Sequence, residues 1–249
     1  MRGFLIALQF LTRVPVYWPR GITQEELPRS MLYYPAVGLL IGLVLAAVNH
    51  AGSAFFPRGL LAAGLLLIPI LLTGGLHLDG FADTVDGFYG GRSREAILAI
   101  MKDSHIGAMG VIGLIGLLLF KFSLLQSLGP DIMSPALILM PALGRWSMVV
   151  VASTTTYARS EGTGQAFVGH ISTREWLGAT FLTVITALFL MRLLKATILC
   201  LMVLLMTFAL ATLMKRKIGG ATGDTLGATN EIIEVLALLI VFMLHPSKL

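Results

Sequence analysis

Apolar segments follow one another along almost the whole chain and are separated by short polar connections. A helix of roughly 20 apolar residues crosses a hydrocarbon core of about 30 Å. Seven segments approach that length, at about 31–49, 59–76, 106–125, 133–152, 177–191, 194–214 and 231–245. The fifth and seventh are short, at about 15 residues each, so six crossings remain an alternative. The pattern predicts an all-α, polytopic membrane helix bundle of about seven transmembrane helices.

The residues before the first segment form a separate, amphipathic stretch. If this stretch is helical, Arg2 and Arg13 fall on one side, whereas apolar residues such as Leu8 and Leu11 spread over the rest. The apolar run is short, and Arg13 and Pro15 stand where a signal peptide would have a small-residue cleavage site. We therefore expect an N-terminal interfacial helix that ends at Pro15.

Composition assigns the chain to the membrane proteins. Hydrophobic residues make up 56% of it and charged residues only 12%, whereas soluble domains have about 25% charged residues. Because no hydrophilic block is large enough to bury a second core, residues 1–249 are expected to form a single integral-membrane domain. The single cysteine, Cys200, lies in an apolar segment and predicts neither a disulfide nor a zinc site.

The basic residues are distributed unevenly over the predicted loops. With the N terminus inside, the inner loops hold Arg2, Arg13, Arg20, Arg29, Arg92, Arg94, Lys102, Arg159, Arg174, Lys215, Arg216 and Lys217. The outer loops hold Arg58, Arg192, Lys195 and Lys248. Because positive charge is retained on the cytoplasmic side during insertion, this pattern predicts that the acidic clusters also face the cytoplasm. We therefore attribute the net charge of +5 to the orientation of the chain in the lipid membrane, and we expect no nucleic-acid binding.

The sequence HLDGFADTVDG, at residues 77–87, is the most informative motif. On a helix, Asp79, Asp83 and Asp86 fall within an arc of roughly 60°. Carboxylates this close repel one another unless a cation lies between them, and oxygen ligands favour a hard cation such as Mg²⁺. The spacing predicts that these three aspartates bind Mg²⁺, together with the oxygens of a bound phosphate.

A second polar stretch, MKDSHIGAMG at residues 101–110, precedes the third apolar segment. Lys102 is suited to contact phosphate, and His105 is suited to exchange a proton near neutral pH. Asp103 is a further candidate for proton transfer. A purely structural interpretation is also open, in which Asp103 or Ser104 caps the following helix and the glycines allow close helix packing.

A third stretch, GGATGDTLGATNE at residues 219–231, leads into the last segment. Gly223 permits close approach of a ligand, and Asp224 and Glu231, which are seven residues apart, would share a helical face. Both acids are assigned to the metal site. Alternatively, Thr222 or Asp224 is only an N-cap. Ionised groups within a span, such as Glu231 and Glu234, need a partner or a wet cavity.

Three further charged residues are candidates for substrate binding. Arg159 and Glu161 lie in the polar loop that emerges on the same side as the aspartates. Arg145 lies inside the fourth apolar segment and needs a counter-charge, which the aspartate cluster is expected to supply. Lys121 lies nearer to the end of its segment and is expected only to snorkel towards the interface.

These blocks together carry a family resemblance. The sequences HLDGFADTVDGFYGG, MKDSHIGAMG and GATGDTLGATNEIIE, with FLTRVPV and PAVGLLIG near the N terminus, resemble the cobalamin synthase family, the adenosylcobinamide-GDP ribazoletransferases. The resemblance implies an Mg²⁺-dependent enzyme of the bacterial inner membrane. It implies that adenosylcobinamide-GDP is joined to α-ribazole or its 5′-phosphate with release of GMP. The number of subunits in a homo-oligomer stays open.

Two other functions fit parts of the sequence. The motif that begins at Asp79 resembles the first part of the CDP-alcohol phosphotransferase signature, but Asp83 follows Ala82 where that signature has arginine. This similarity favours a reaction chemistry shared with the CDP-alcohol phosphotransferases over membership of that family. A cation-coupled transporter is the other alternative, because acids within spans often mark ion pathways. The acids, however, cluster at one membrane boundary, and the second half of the chain has no repeat of the motif.

Overall fold

The computed structural model describes residues 2–17 and 21–245. The described residues are predominantly helical, and their β-structure is limited to an isolated bridge between Tyr157 and Ala221. The helices are α1 (Arg2–Leu11), α2 (Glu26–Ser30), α3 (Tyr34–Gly52), α4 (Arg58–Thr73), α5 (Leu76–Gly90), α6 (Arg94–Ile100), α7 (Ala108–Ser127), α8 (Pro130–Thr154), α9 (Thr173–Leu190), α10 (Leu193–Ile218) and α11 (Gly223–Leu244), with short 3₁₀ helices at Met31–Tyr33 and Thr163–Ala166. The predicted all-α fold is confirmed. The predicted N-terminal helix is present, but it ends at Leu11 and not at Pro15.

Each of the seven predicted spans falls on a helix, but fewer helices qualify as crossings. Among the described residues, five helices are long and apolar enough to cross a membrane: Glu26–Gly52, Ala108–Ser127, Pro130–Thr154, Leu193–Ile218 and Gly223–Leu244. A sixth crossing is counted if α4 and α5 form one broken span. Helix α9 is not among them, because its first turn is polar and contains Arg174 and Glu175. Among the described residues the structure thus supports five or six crossings, which includes the alternative of six but is fewer than the seven predicted.

The last span is longer than the sequence analysis expected. Helix α11 begins at Gly223 and not near residue 231, so its first two turns are made of the polar residues that had been assigned to a loop. The Thr222 hydroxyl caps this helix by accepting from the Thr225 amide at 3.2 Å. Asp224 is therefore not the N-cap, and its carboxylate is available to other partners.

The chain turns sharply before the aspartate motif. Helices α4 and α5 are bent by 93° relative to each other, and the break lies at Gly74 and Gly75, with φ values of 67° and 73°. Only glycine adopts this left-handed conformation at little cost. The Gly75 amide donates to the Ile70 carbonyl at 2.9 Å and so terminates α4. The break allows α5 to start in a new direction and to pack against the first two turns of α7 and α11.

Helix α8 forms the centre of the bundle, and nearly all of its residues from Ala136 to Ala152 are buried. It packs mainly against α3 and α11. A Cβ atom at Gly42 of α3 would lie only 2.6 Å from the Cα atom of Ile138 in α8. Small residues therefore bring the α3 and α8 backbones into close contact, as is common between membrane helices.

The polar connections meet at one end of the bundle, which we call the acidic end. It comprises α5 from Asp79 onwards, residues 101–107, residues 155–172 and residues 219–224. Arg94 donates to the Ala158 carbonyl at 3.0 Å, and Lys217 donates to the Phe88 carbonyl at 3.3 Å. The outer-loop residues Arg58 and Arg192 lie where α4 and α10 begin, away from the acidic end. Arg20 and Lys248, which also entered the charge pattern, lie outside the described residues.

Candidate active site

The three aspartates of α5 have different environments. Asp79 is exposed and Asp83 is partly buried, whereas Asp86 is only 8% exposed. Asp83 is close enough to Asp79, Asp224 and Arg159 for all three charges to act on it. The predicted clustering of Asp79 and Asp83 with an acid from the last span is therefore present at the acidic end.

Asp86 connects α5 to the N terminus of α7. Its two carboxylate oxygens accept hydrogen bonds from the backbone amides of Gly107 and Gly110, both at 2.7 Å. These amides have no partner within α7, and a carboxylate at a helix N terminus is also favoured by the helix dipole. A Cβ atom at Gly107 would lie 2.5 Å from the Asp86 carboxylate. The bond geometry thus gives Asp86 a role in docking α5, in addition to the metal role that the sequence predicts.

This contact also settles how α7 begins. Neither Asp103 nor Ser104 caps this helix, because the N-cap residue is Gly107, which has no side chain to accept a bond. Asp86, from another helix, takes that place. Gly107 and Gly110 leave room for the Asp86 carboxylate, and Gly110 also lies close to the Ala82 carbonyl of α5, as the packing alternative expects.

Asp224 lies in the first turn of α11, opposite the aspartates of α5. A Cβ atom at Gly80 would be 2.8 Å from the Asp224 Cα atom, so the two helices touch between Asp79 and Asp83. The Asp224 carboxylate forms an ion pair with Arg159 at 2.8 Å. The sequence block GDTLG therefore supplies an acid to the same cluster as the HLDGFADTVDG block.

Arg159 connects three parts of the acidic end. Besides the ion pair with Asp224, its guanidinium donates to the Met101 carbonyl at 3.2 Å. Its backbone is held by the bridge between Tyr157 and Ala221, in which the Ala158 amide donates to the Ala221 carbonyl at 2.9 Å. The structure thus brings Arg159 to the acid cluster, as the sequence predicts for a phosphate-binding candidate.

Lys102, Asp103 and His105 are exposed in the loop between α6 and α7. The loop is anchored at both ends beside the cluster, by Arg159 at Met101 and by Asp86 at Gly107. The His105 ring lies 2.7 Å from Asp103 Oδ1. The hydrogen bonds from the ring and then from the backbone amide of His105 lower the pKa of Asp103. Asp103 is therefore a weaker proton acceptor than an isolated aspartate.

Arg145 and Glu231 lie in the interior of the bundle and not in the acid cluster. Arg145 is 1% exposed and pairs with Glu234, which also accepts from Lys121 at 2.6 Å. Lys121 contacts Glu231 at 2.9 Å as well. The Arg145 guanidinium reaches His77 at 3.3 Å, in the first turn of α5. We call these five residues the buried charge network.

Two expectations about this network were wrong. The counter-charge of Arg145 is Glu234, from a facing span, and not the aspartate cluster. Lys121 does not snorkel to the interface but is 5% exposed and paired with two glutamates. The expectation that Glu231 and Glu234 need a partner within the membrane is confirmed.

The remaining predicted residues lie in or beside the loop at 155–172. Glu161 is exposed, and its backbone carbonyl accepts from the Tyr157 hydroxyl at 3.5 Å. Gly223 packs against Gly164, since a Cβ atom at Gly164 would lie 2.8 Å from the Gly223 nitrogen. Gly223 directly precedes Asp224 and so borders the acid cluster.

The donor set at the acidic end fits Mg²⁺. No group of three or more His, Cys, Asp or Glu side chains in the described parts of the chain is arranged to hold a metal ion by itself. Mg²⁺, however, is usually held by one or two carboxylates together with waters and substrate phosphates. Any two of Asp79, Asp83 and Asp224 would provide that number of carboxylates, and Asp79 is exposed to solvent.

Comparisons with known proteins identify the family of the chain. The family model described as cobalamin-5-phosphate synthase matches residues 3–242. A protein of Acetivibrio thermocellus named adenosylcobinamide-GDP ribazoletransferase is 36% identical over 98% of both chains. A protein of Pseudomonas fluorescens with the same name is 42% identical over 94% of this chain and 96% of its own length. No solved structure matches. Because the match covers nearly the whole chain, the protein belongs to the cobalamin-5-phosphate synthase family.

Proposed function

We propose that the protein joins adenosylcobinamide-GDP to α-ribazole or α-ribazole 5′-phosphate and releases GMP. The ribazole 3′-hydroxyl oxygen forms a bond to the phosphorus that is attached to the cobinamide. The bond between this phosphorus and the bridging pyrophosphate oxygen breaks, and GMP leaves with the electron pair. The hydroxyl proton passes to a base, and the product is a phosphodiester. Family membership and the name of the relatives support this assignment.

The observation that carries the proposal is the meeting of Asp79 and Asp83 from α5 with Asp224 from α11 at an open surface. Phosphoryl transfer depends mainly on positioning and on neutralising the charge of the transferred oxygens. In our assignment, one or two of the carboxylates of Asp79, Asp83 and Asp224 would hold Mg²⁺ together with waters and the substrate phosphate, and the ion would neutralise phosphate charge. The contact at Gly80 supports this role because it holds the two helices at a fixed separation.

The basic residues beside the cluster complete the proposed site. Lys102 is exposed and free to approach a phosphate. Arg159 already pairs with Asp224, so in our assignment it orients this carboxylate and offers its remaining donors to the substrate. Of the two candidate bases, we assign proton removal to His105, since the lowered pKa of Asp103 makes that carboxylate a poor base near neutral pH.

The location in the membrane is part of the proposal. We assign the protein to the bacterial inner membrane with the acidic end facing the cytoplasm. The support is the excess of lysine and arginine at this end, where Arg94, Arg159 and Lys217 lie. This side is also where a nucleotide substrate would be supplied.

The test is a turnover assay with purified protein in detergent. Adenosylcobinamide-GDP, α-ribazole 5′-phosphate and Mg²⁺ should yield GMP and a corrinoid with a closed nucleotide loop. Omission of Mg²⁺ with EDTA present should stop GMP release. When a CDP-alcohol replaces the corrinoid substrate, no CMP should be released, because the enzyme is proposed to be specific for the corrinoid substrate. Absence of GMP in the complete mixture, with an active relative as positive control, would contradict the proposal.

A matched pair of variants tests the role of the cluster. Loss of a metal ligand removes several kcal/mol of charge stabilisation, so Asp83→Asn should reduce turnover by at least about a hundredfold. Asp131→Asn is the control, because Asp131 is an exposed aspartate in the first turn of α8, at the opposite end of that helix from the cluster. It should leave turnover unchanged. Wild-type turnover in Asp83→Asn would exclude Asp83 from the metal site.

A further inference from the structure

A large groove opens beside the acid cluster. It has a volume of about 1240 Å³ and lies between the N-terminal helices α1 and α2 on one side and residues 162–175 on the other. Pockets for drug-sized ligands have volumes of about 300 to 1,000 Å³. The groove is thus larger than a mononucleotide or a ribazole requires, and it suits a bulkier ligand.

The lining of the groove has an apolar part and a polar part. Phe10 and Phe167 form the apolar part, with ring centroids 4.7 Å apart. The polar part consists of the exposed amides of Gln24 and Gln165 and of ionisable side chains, which are Glu25, Arg29, His170, Arg174 and Glu175. This combination is complementary to a flat, methylated macrocycle that carries carboxamides around its edge, because the rings offer apolar area and the amides can both donate and accept.

The wall between the groove and the acid cluster is a single segment of chain. Gly162 and Gln165 line the groove, whereas Gly164, between them, is buried against Gly223, with 2.8 Å from its Cβ position to the Gly223 nitrogen. Gly223 directly precedes Asp224, the acid that faces α5. A ligand seated in the groove therefore has its edge close to the proposed phosphoryl-transfer site.

We infer that this groove binds the corrinoid macrocycle of the substrate and directs its phosphate arm over the segment at 162–166 towards Asp224. The inference rests on the proposed function. It assigns the corrinoid, and not the ribazole or the guanosine, to the groove because only the corrinoid has the size and the amide-bearing edge that the lining matches.

The test narrows the groove with a bulky side chain. Gln165→Trp should raise the KM for adenosylcobinamide-GDP by at least about tenfold, while kcat and the KM for α-ribazole 5′-phosphate stay within about twofold of wild type. Gln126→Trp is the matched control, because Gln126 is an exposed glutamine that lines a different cavity, beside Arg58 and Pro130. It should leave all three constants unchanged. If Gln165→Trp does not fold, Gln24→Trp narrows the same groove from the opposite wall.

Direct binding separates this inference from the proposed function. Equilibrium dialysis with adenosylcobinamide-GDP alone, followed by corrin absorbance, should show weaker binding by Gln165→Trp than by wild type and the Gln126→Trp control. Equal binding, or a change confined to kcat or to the KM for the ribazole, would overturn the groove assignment. A wild-type protein that releases no GMP would instead contradict the proposed function, whatever the variants do.

Discussion

Replacement of Lys121 by methionine should markedly lower the melting temperature of the protein, although this residue lies away from the proposed site. The Lys121 ammonium contacts Glu231 at 2.9 Å and Glu234 at 2.6 Å, and all three side chains are less than a tenth exposed. Methionine preserves most of the side-chain volume but removes the charge. Glu234 retains Arg145 as its partner, whereas Glu231 loses its only cation in the network.

The size of the effect follows from the burial of the charge left behind. Removal of one partner from a buried ion pair costs about 3 to 5 kcal/mol, because the other charge stays desolvated and unpaired. For a protein of this size, 1 kcal/mol lowers the melting temperature by about 2 to 4 °C. The Lys121→Met variant should therefore melt about 6 to 20 °C below wild type. The measurement is the loss of the monodisperse gel-filtration peak in detergent after heating.

Two further variants make this prediction specific to charge. The double variant Lys121→Met with Glu231→Gln removes both members of one pair and leaves Arg145 with Glu234, so it should recover more than half of the lost melting temperature. Lys215→Met is the control, because Lys215 is exposed in the last turn of α10. The reasoning is refuted if Lys121→Met melts like this control, or if the double variant melts no higher than the single one.

Three other changes have defined outcomes. Asp86→Ala leaves two helix-end amides without their acceptor, so unfolding should become easier by about 1 to 3 kcal/mol, as measured by thermal melting; an unchanged melt would remove its docking role. Gly74→Ala forces a side chain into a left-handed conformation at a cost of about 1 to 2 kcal/mol, and Gly64→Ala, within α4 and in open space, is the control that should not destabilise. Under the proposed function, His105→Ala should lower kcat by about 10² to 10⁴. Asp103→Ala should lower kcat by much less, because the pKa of Asp103 is lowered. If kcat, measured as a pH–rate profile, falls more in Asp103→Ala than in His105→Ala, Asp103 is the base.

The sequence predicts the helices well because membrane spans are continuous apolar runs. All seven predicted spans fall on helices. The start of α11 is the main exception, since its first two turns are polar and were assigned to a loop. These turns are helical because Thr222 caps them and because they pack against α5, as the contact between Gly227 and His77 shows. Tertiary packing thus overrides a local polar pattern.

The site is only partly predictable for a related reason. The spacing of Asp79, Asp83 and Asp86 correctly places them on one side of a helix, but spacing does not say which neighbour each side chain meets. Asp86 meets the amides of Gly107 and Gly110. The partner of Arg145 was predictable in principle, because, apart from Lys195 at the end of its segment, the apolar segments contain two basic and two acidic residues that must balance within the membrane. The groove has no sequence signal, since its walls come from separate segments.

The way α5 is fixed explains how carboxylates that repel one another are held close together. Gly74 and Gly75 turn the chain, and three contacts then hold α5 from different directions. The buried charge network reaches its first turn at His77, α11 touches it at Gly80, and α7 holds it through Asp86. Because these contacts already hold α5 in place, metal binding requires no further ordering of this helix. The repulsion between Asp79 and Asp83 is therefore opposed by packing and by buried ion pairs, and a bound cation would find its ligands in position.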